Sequence, residues 1–176
     1  MSARIIPAVL IAGVLVGCAP ATVSVDESVA AYVRLMMPRE LRIQPYSFTR
    51  PISFANDGNP DAVEVVVAAF DQLEDPVKVF GTFHFELYER RPASSDPFGE
   101  RIGFWPVTID SHEALARYRD RSSPFFFCFP LKLENPPLRP GTYILNVRLM
   151  APGGETLFDE YRLEFKGGRV PPPRPR

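Results

Sequence analysis

The chain has 176 residues, of which 45% are hydrophobic, 12% aromatic and 23% charged. Its 20 Lys and Arg residues nearly balance its 21 Asp and Glu residues, so the formal net charge is −1. A balance of this kind creates no strong field for a polyanion, which excludes a nucleic-acid partner. The hydrophobic content excludes a disordered stalk, and the 20 prolines exclude a fold built from long helices.

Residues 1–17 are typical of a secretory signal peptide rather than of a folded domain. Arg4 supplies a positive charge ahead of an apolar run at residues 5–16. This run is too short to span a membrane, because a spanning helix needs about 20 apolar residues. We therefore expect the segment to be removed during export.

The signal segment ends in Leu15-Val16-Gly17-Cys18. This tetrapeptide resembles the lipobox of bacterial lipoproteins, in which the cysteine thiol receives diacylglycerol and a peptidase cuts just before it. The resemblance implies acyl chains, including palmitate, on Cys18, and two or three such chains anchor a protein stably. Ala19 in place of aspartate implies the outer membrane, on its periplasmic side. The alternative is an ordinary secretory signal in which a cysteine happens to follow glycine.

Residues 18–40 are predicted to form a tether that contains a short amphipathic helix. Its apolar positions recur at helical spacing, at Val29, Tyr32, Val33 and Met36. Pro38 ends the pattern. Because the polar side has few basic residues, we expect the helix to pack on the following domain; the alternative is the bilayer surface beside the anchor.

Residues 41–166 form the predicted globular domain, because apolar residues there recur with a period of two. The pattern predicts about seven short strands, at 41–48, 63–70, 83–88, 102–107, 125–133, 143–150 and 161–165. A second short helix is predicted at 111–120, with Asp110 as its cap. Short strands separated by turns predict an all-β fold, an antiparallel β-sandwich with one or two short helices.

Two passages resemble known sandwich domains. Residues 138–149, LRPGTYILNVRL, resemble the L-x-P-G-x-Y-x-L-x-V passage of Ig-like and transthyretin-like domains. Residues 70–89 resemble a linker between two strands of the same domains. The resemblance implies a single sandwich of Ig-like or transthyretin-like type.

Taken as a whole, the chain resembles bacterial envelope lipoproteins that carry one such sandwich. This resemblance implies a lipid-anchored envelope protein with a binding or structural role, held on the membrane by Cys18 and able to contact an envelope protein partner. A weaker resemblance, to the outer-membrane lipoprotein of type VI secretion systems, implies the alternative role of a secretion-apparatus component. The sequence carries no P-loop, Rossmann fingerprint or zinc motif, so we expect no cofactor and no enzymatic activity.

The C-terminal residues 167–176 begin with Gly167-Gly168 and continue with proline and arginine. Such a composition cannot bury a core, so this tail is predicted to be disordered or polyproline-like. Weak contact with anionic envelope polymers is the functional alternative to a solvated tail.

Cys128 lies within the stretch SSPFFFCFP at residues 122–130. Because Cys18 is expected to be acylated, no second cysteine remains to pair with Cys128. A catalytic pair with His84 would need an exposed thiol in a positive environment, whereas the neighbouring phenylalanines favour a buried, inert thiol. The alternation also places Phe125, Phe127 and Phe129 in the core. We therefore expect Cys128 to fill space and no residue to be catalytic.

Asp57, Asn59 and Asp61, in the stretch NDGNPDAV, resemble half of a calcium-binding aspartate-rich repeat. Calcium prefers six to eight oxygen ligands. The upstream acidic positions of that repeat are Phe54 and Ala55 here, which leaves the turn short of ligands. We therefore expect no metal and interpret the stretch as an Asx/Gly turn that leads into the next strand.

The connection at residues 89–101, ERRPASSDPFGER, is long and charged. Loops on rigid sandwiches often bind partners, and arginine and phenylalanine are enriched at interfaces. The candidate partner-binding residues are Arg90, Arg91, Phe98 and Arg101. The alternative is a variable connector that binds nothing.

Overall fold

A computed structural model describes residues 26–45, 47–121 and 123–174. The predicted signal peptide and Cys18 lie outside the described residues. The described chain contains two helices and nine strands. They are α1 (Glu27–Met36), β1 (Glu40–Ile43), β2 (Arg50–Ile52), β3 (Ala62–Phe70), β4 (Pro76–Val77), β5 (Gly81–Arg90), β6 (Phe98–Ile109), α2 (His112–Tyr118), β7 (Phe126–Lys132), β8 (Gly141–Met150) and β9 (Thr156–Phe165).

The strands form two antiparallel sheets, which confirms the predicted all-β fold. In the five-stranded sheet β3 is central: β1 and β2 pair along one side of it, and β4 and β7 pair along the other. The four-stranded sheet has the order β6-β5-β8-β9, built from neighbours that run in opposite directions. A glycine-containing turn joins β8 to β9, where Gly153 and Gly154 have positive φ.

The core lies between the two sheets and consists of alternate residues from each. Phe129 of β7 packs against Phe83 and Phe85 of β5, with ring centroids 4.9 and 4.7 Å apart. Phe127 and Phe129 are buried as predicted, but Phe125 is 41% exposed. The prediction for Phe125 is wrong because β7 begins only at Phe126, so the alternation does not extend back to it.

Side chains close both open sides of the sandwich. On one side, Nε1 of Trp105 in β6 donates to the carbonyl oxygen of Lys132 in β7, at 2.7 Å. Helix α2 covers the same side, with Leu115 buried and Tyr118 stacked on Phe129. On the other side, the backbone N–H of Ile43 in β1 donates to a carboxylate oxygen of β9 at 2.6 Å.

Helix α1 is an exposed element. Asp26 caps it by accepting a hydrogen bond from the backbone N–H of Ser28 at 2.9 Å, and this bond lowers the pKa of the Asp26 carboxyl. None of its ten residues is buried. The expectation that α1 packs on the sandwich is therefore wrong. The local cap and the apolar periodicity suffice to predict a helix but do not determine what covers its face.

The C-terminal tail packs on the sandwich, so the prediction of a disordered tail is wrong. The backbone N–H of Val170 donates to the carbonyl oxygen of Gly58 at 3.0 Å, and that of Ser53 donates to the carbonyl oxygen of Pro171 at 2.9 Å. The backbone N–H of Arg174 donates to Oε2 of Glu64 at 2.9 Å. The physical reason is Glu64, a carboxylate buried in β3 that requires hydrogen-bond donors and positive charge.

Three smaller differences concern element boundaries. The predicted strand at 41–48 corresponds to β1 alone, which ends at Ile43, and the short strands β2 and β4 were not predicted. Strands β6 and β9 begin earlier than the periodicity indicates. Ser111 caps α2, accepting a hydrogen bond from the N–H of Ala114 at 3.1 Å, whereas Asp110 was the predicted cap.

Tyr143 fixes the turn that enters β8. Its hydroxyl donates to the carbonyl oxygen of Arg139 at 2.6 Å, across the Pro-Gly turn that carries the resemblance to sandwich domains. Sandwiches of the immunoglobulin type contain a similar tyrosine corner. Burial raises the pKa of the Tyr143 hydroxyl, so this group stays a donor under ordinary conditions.

We expect Tyr143→Phe to lower the free energy of unfolding by about 1 kcal/mol, because it removes one buried hydrogen bond. Urea unfolding measures this difference. Tyr32→Phe is the matched control, since Tyr32 lies on the exposed helix α1 and its loss should leave stability unchanged. Equal stability of the parent chain and Tyr143→Phe would contradict this role.

Candidate binding face

The two outer faces of the sandwich differ in what covers them. On the five-stranded sheet, the outward residues of β3 are Ala62, Glu64, Val66 and Ala68, and each is at most 1% exposed. The tail lies over this face, where the N–H of Arg174 donates to Oε2 of Glu64 at 2.9 Å. Thr49 occupies the edge of β3 between β1 and β2, where its Oγ1 accepts a hydrogen bond from the N–H of Val66 at 3.1 Å. This face is therefore filled by the chain itself.

None of the described residues covers the outer face of the four-stranded sheet, and the strand register determines which side chains meet on it. One row across the sheet contains Phe104, Glu86, Asn146 and Glu160. The next row contains Pro106, His84, Arg148 and Phe158. These eight residues, together with Met150, are called the open face below.

A shallow depression of about 490 Å³ lies in the open face. Its volume falls within the range of ligand pockets, about 300–1,000 Å³. Both rows contribute to its lining, which includes His84, Glu86, Phe104, Asn146, Arg148 and Phe158. The depression is therefore built from rigid, paired strands rather than from loops.

Large apolar side chains are exposed on the open face. Phe158 is 77% exposed, and Phe104 and Met150 are 41% exposed. The exposed part of each side chain gains no hydrophobic stabilisation from the fold and could gain it from a partner. Aromatic residues, methionine and arginine are the types that enrich protein interfaces.

Asn146 has an unsatisfied polar atom in the depression. Its Oδ1 is buried and accepts no hydrogen bond from any described residue. Buried polar atoms are nearly always paired, so this oxygen is free to accept a hydrogen bond from water or from a bound partner. The two residues directly opposite Asn146, Glu86 and Glu160, are both acidic. A partner group that enters here would donate hydrogen bonds.

Arg101, one of the four predicted partner-binding residues, reaches the open face. Its Nη1 lies 3.2 Å from Oε1 of Glu86, and its guanidinium lies 5.6 Å from the ring centroid of Phe104. Glu86 also accepts a hydrogen bond from the Tyr88 hydroxyl. Burial is the main cause of the raised pKa of this hydroxyl, and the hydrogen bond to Glu86 is the second cause. The face therefore combines aromatic surface with charges of both signs.

The other three predicted residues lie at the end of the β5–β6 hairpin. Phe98 is half-buried, pairs with Arg90 in the ladder and packs edge-on against Tyr88 at 5.2 Å. Arg91 is exposed, and its N–H donates to the carbonyl oxygen of Pro97 at 2.8 Å. Phe98 thus supports the hairpin, and the structure does not gather all four residues into one patch.

The turn at residues 57–61 uses its carboxylates internally. Asp57 Oδ1 accepts from the N–H of Asn59 at 2.8 Å, and Asp61 accepts from the N–H groups of Phe54 and Ala55 at 2.6 and 3.2 Å. Within the described ranges no three His, Cys, Asp or Glu residues form a metal-binding group. The arrangement favours the Asx/Gly turn over a calcium site.

His84 and Cys128 lie on opposite outer faces of the sandwich. His84 belongs to the open face, where its ring lies 5.5 Å from that of Phe104. Cys128 pairs with Val66 across the five-stranded sheet and is 7% exposed. Both sheets separate the two side chains, so they cannot act as a catalytic pair.

Asn146, Arg148 and Phe158 were not identified from the sequence as candidates. The alternation in β8 does mark Asn146 and Arg148 as outward residues. Their convergence with Phe158 and Phe104 depends on the order β6-β5-β8-β9, which the sequence pattern alone does not specify. The signal that could have indicated this face is the presence of large apolar residues at outward positions of three strands, namely Phe104, Met150 and Phe158.

Comparisons with protein families, curated proteins and solved structures give no significant match to this chain. Neither helix in the part of the chain that the structure describes is long and apolar enough to cross a membrane.

We expect Asp57→Asn to be less stable than the parent chain at neutral pH. The N–H of Asn59 lowers the pKa of the Asp57 carboxyl, so this group stabilises the fold above its unfolded pKa of about 3.9. The difference should close as the pH falls through the lowered pKa of the folded state. Urea unfolding at several pH values measures it, with Glu100→Gln as an exposed acidic control in β6. A difference that persists unchanged in acid would contradict the assignment.

Proposed function

We propose that this protein is a lipid-anchored binding module of the bacterial cell envelope, with a binding or structural role rather than a catalytic one. Acyl chains on Cys18 would hold it on the periplasmic side of the outer membrane. The β-sandwich would present its open face to a protein partner. In this proposal Cys18 serves attachment and the open face serves recognition.

One observation carries the binding role: the described residues cover one outer face of the sandwich and leave the other open. On the covered face, Glu64 is buried together with Ala62, Val66 and Ala68. The open face instead exposes Phe158 and Phe104 around a depression that contains an unpaired oxygen of Asn146. A surface that only needed to be soluble would place polar residues at these positions.

The chemistry of the open face favours a protein over a polyanion or a small apolar ligand. Glu86 and Glu160 oppose an anionic partner, whereas Arg148 and Arg101 add positive charge beside them. Aromatic rings at the centre and charges of both signs around them are the composition of a protein–protein interface. The depression is also shallow, which suits a protruding side chain or loop.

The attachment role rests on the sequence Leu15-Val16-Gly17-Cys18 and its resemblance to a lipobox. Two acyl chains give stable membrane binding, so the proposal needs no spanning helix. The resemblance to a secretion-system lipoprotein would extend the proposal to an apparatus component if one defined envelope protein is found on the open face.

The anchor is tested by Cys18→Ser, which we expect to move the protein from the membrane fraction to the soluble periplasmic fraction. Cys128→Ala is the matched control, because Cys128 is buried in the sandwich and its loss should leave localisation intact. Membrane fractionation followed by immunoblotting gives the measurement. If Cys18→Ser still fractionates with the membrane, the lipoprotein proposal is wrong.

The open face is tested by replacing Phe158 with a photo-crosslinking phenylalanine analogue in the native envelope. We expect a discrete adduct from position 158. Leu73 is a matched control, since it is 69% exposed, close to the 77% of Phe158, but lies between β3 and β4. The adduct should disappear when Arg148→Ala and Phe104→Ala are added. Equal adducts from positions 158 and 73, or none from position 158, would refute the open face as the binding surface.

A further inference from the structure

The covered face contains a groove that the C-terminal tail fills. Its floor includes Glu64 of β3, and its walls include Phe48 and Asp120, the latter just after α2; all three contact Arg174. Residues 169–174 lie in it as an irregular strap that belongs to neither sheet. The strap is held by the bonds at Val170, Pro171 and Arg174 already described, and by Arg169, whose Nη2 donates to the carbonyl oxygen of Asp57 at 2.9 Å.

Glu64 gives the groove its chemical character. It lies within the central strand β3 and is 1% exposed. A carboxylate in this position is costly unless cations accompany it. Nε of Arg50 lies 3.4 Å from Oε1 of Glu64, and Nε of Arg174 lies 3.3 Å from the same oxygen. One of the two cations thus comes from the adjacent strand and the other from the tail.

The groove surrounds the guanidinium of Arg174 with the groups that recognise arginine. Nη1 lies 3.4 Å from Oδ2 of Asp120, and Nη2 donates to the carbonyl oxygen of Ser47. The guanidinium also lies over the ring of Phe48, 5.0 Å from its centroid. A planar cation that donates at several points while stacking on an aromatic ring has to be arginine, because lysine offers a point charge.

The tail is held as a peptide ligand is held, not as a strand. Pro171, Pro172 and Pro173 have no N–H to donate, and proline-rich segments favour the extended polyproline conformation. Recognition of such segments by grooves with aromatic walls is a recurring mode of peptide binding. The connection to β9 runs through Gly167 and Gly168, both exposed and with positive φ.

We propose that this groove is a recognition site for a proline-rich segment that carries arginine, and that the chain's own tail occupies it in cis. A partner segment of the same chemistry would bind by displacing the tail. The cis contact is therefore autoinhibitory for this site. The proposal is independent of the open face and of the lipid anchor, since it concerns the opposite sheet.

The test uses the full chain with a protease site inserted between Gly168 and Arg169, cleaved after folding. We expect the cut segment to remain on the domain during gel filtration. A fluorescent synthetic peptide of residues 169–176 should then exchange into the groove, and unlabelled peptide should compete with it. The uncut chain should bind this peptide much more weakly, because its tail is held at high effective concentration.

Peptide variants separate recognition of the guanidinium from general charge. A competitor with Arg174→Ala should be about 10- to 100-fold weaker than the parent peptide, because it loses charge-assisted hydrogen bonds. A competitor with Arg169→Ala should stay within about threefold, because Arg169 is exposed and exposed contacts contribute little.

Two results of the peptide experiments would overturn the proposal: equal competition by the parent and Arg174→Ala peptides, or a cut segment that never exchanges with added peptide. The cleaved Glu64→Gln chain provides a second measurement, since it keeps the shape of the side chain and should lose peptide binding while remaining folded by circular dichroism. If that variant does not fold, Asp120→Asn provides the same comparison. Unchanged peptide affinity in the folded variant also contradicts the site.

Discussion

The burial of Glu64 organises the five-stranded sheet. Strand β3 is covered on both faces, and the charge within it is tolerated because Arg50 and Arg174 approach the same carboxylate oxygen. Arg174 lies 110 residues further along the chain than Glu64, so this pairing draws the C-terminal segment across the sheet. Among the described residues, the outer face of the five-stranded sheet is occupied by the tail, whereas nothing occupies that of the four-stranded sheet.

This asymmetry gives the sandwich a direction. The segment that leads toward Cys18 joins the edge strand β1, and the tail occupies the face of the same sheet. The open face belongs to the other sheet, whose strands β5 and β8 are long and fully paired. A rigid, paired surface suits recognition because little conformational entropy is lost when a partner binds.

The sequence predicted the sandwich because strands such as β3, β5 and β8 show their period directly. It predicted Arg101 as a partner-binding residue but not Asn146 or Phe158, because their meeting requires the strand order. The tail was predicted to be disordered since its own composition cannot form a core. The contact between Arg174 and Glu64 orders the tail. The sequence shows a glutamate within an apolar strand, but it does not indicate which distant arginine pairs with that glutamate. The same limit applies to helix α1. Its apolar periodicity can be read from the sequence, but the sequence does not indicate whether another element packs against its apolar face.

Trp105 has a practical consequence, because it is the one tryptophan in the chain and lies at the seam between the sheets. Its ring lies over Gly103, where a Cβ would come within 2.3 Å of the indole, and its N–H reaches β7. Its intrinsic fluorescence therefore reports on the contact between the two layers. Release of the tail or fraying of α1 would leave that optical signal in place, whereas separation of the sheets would change it.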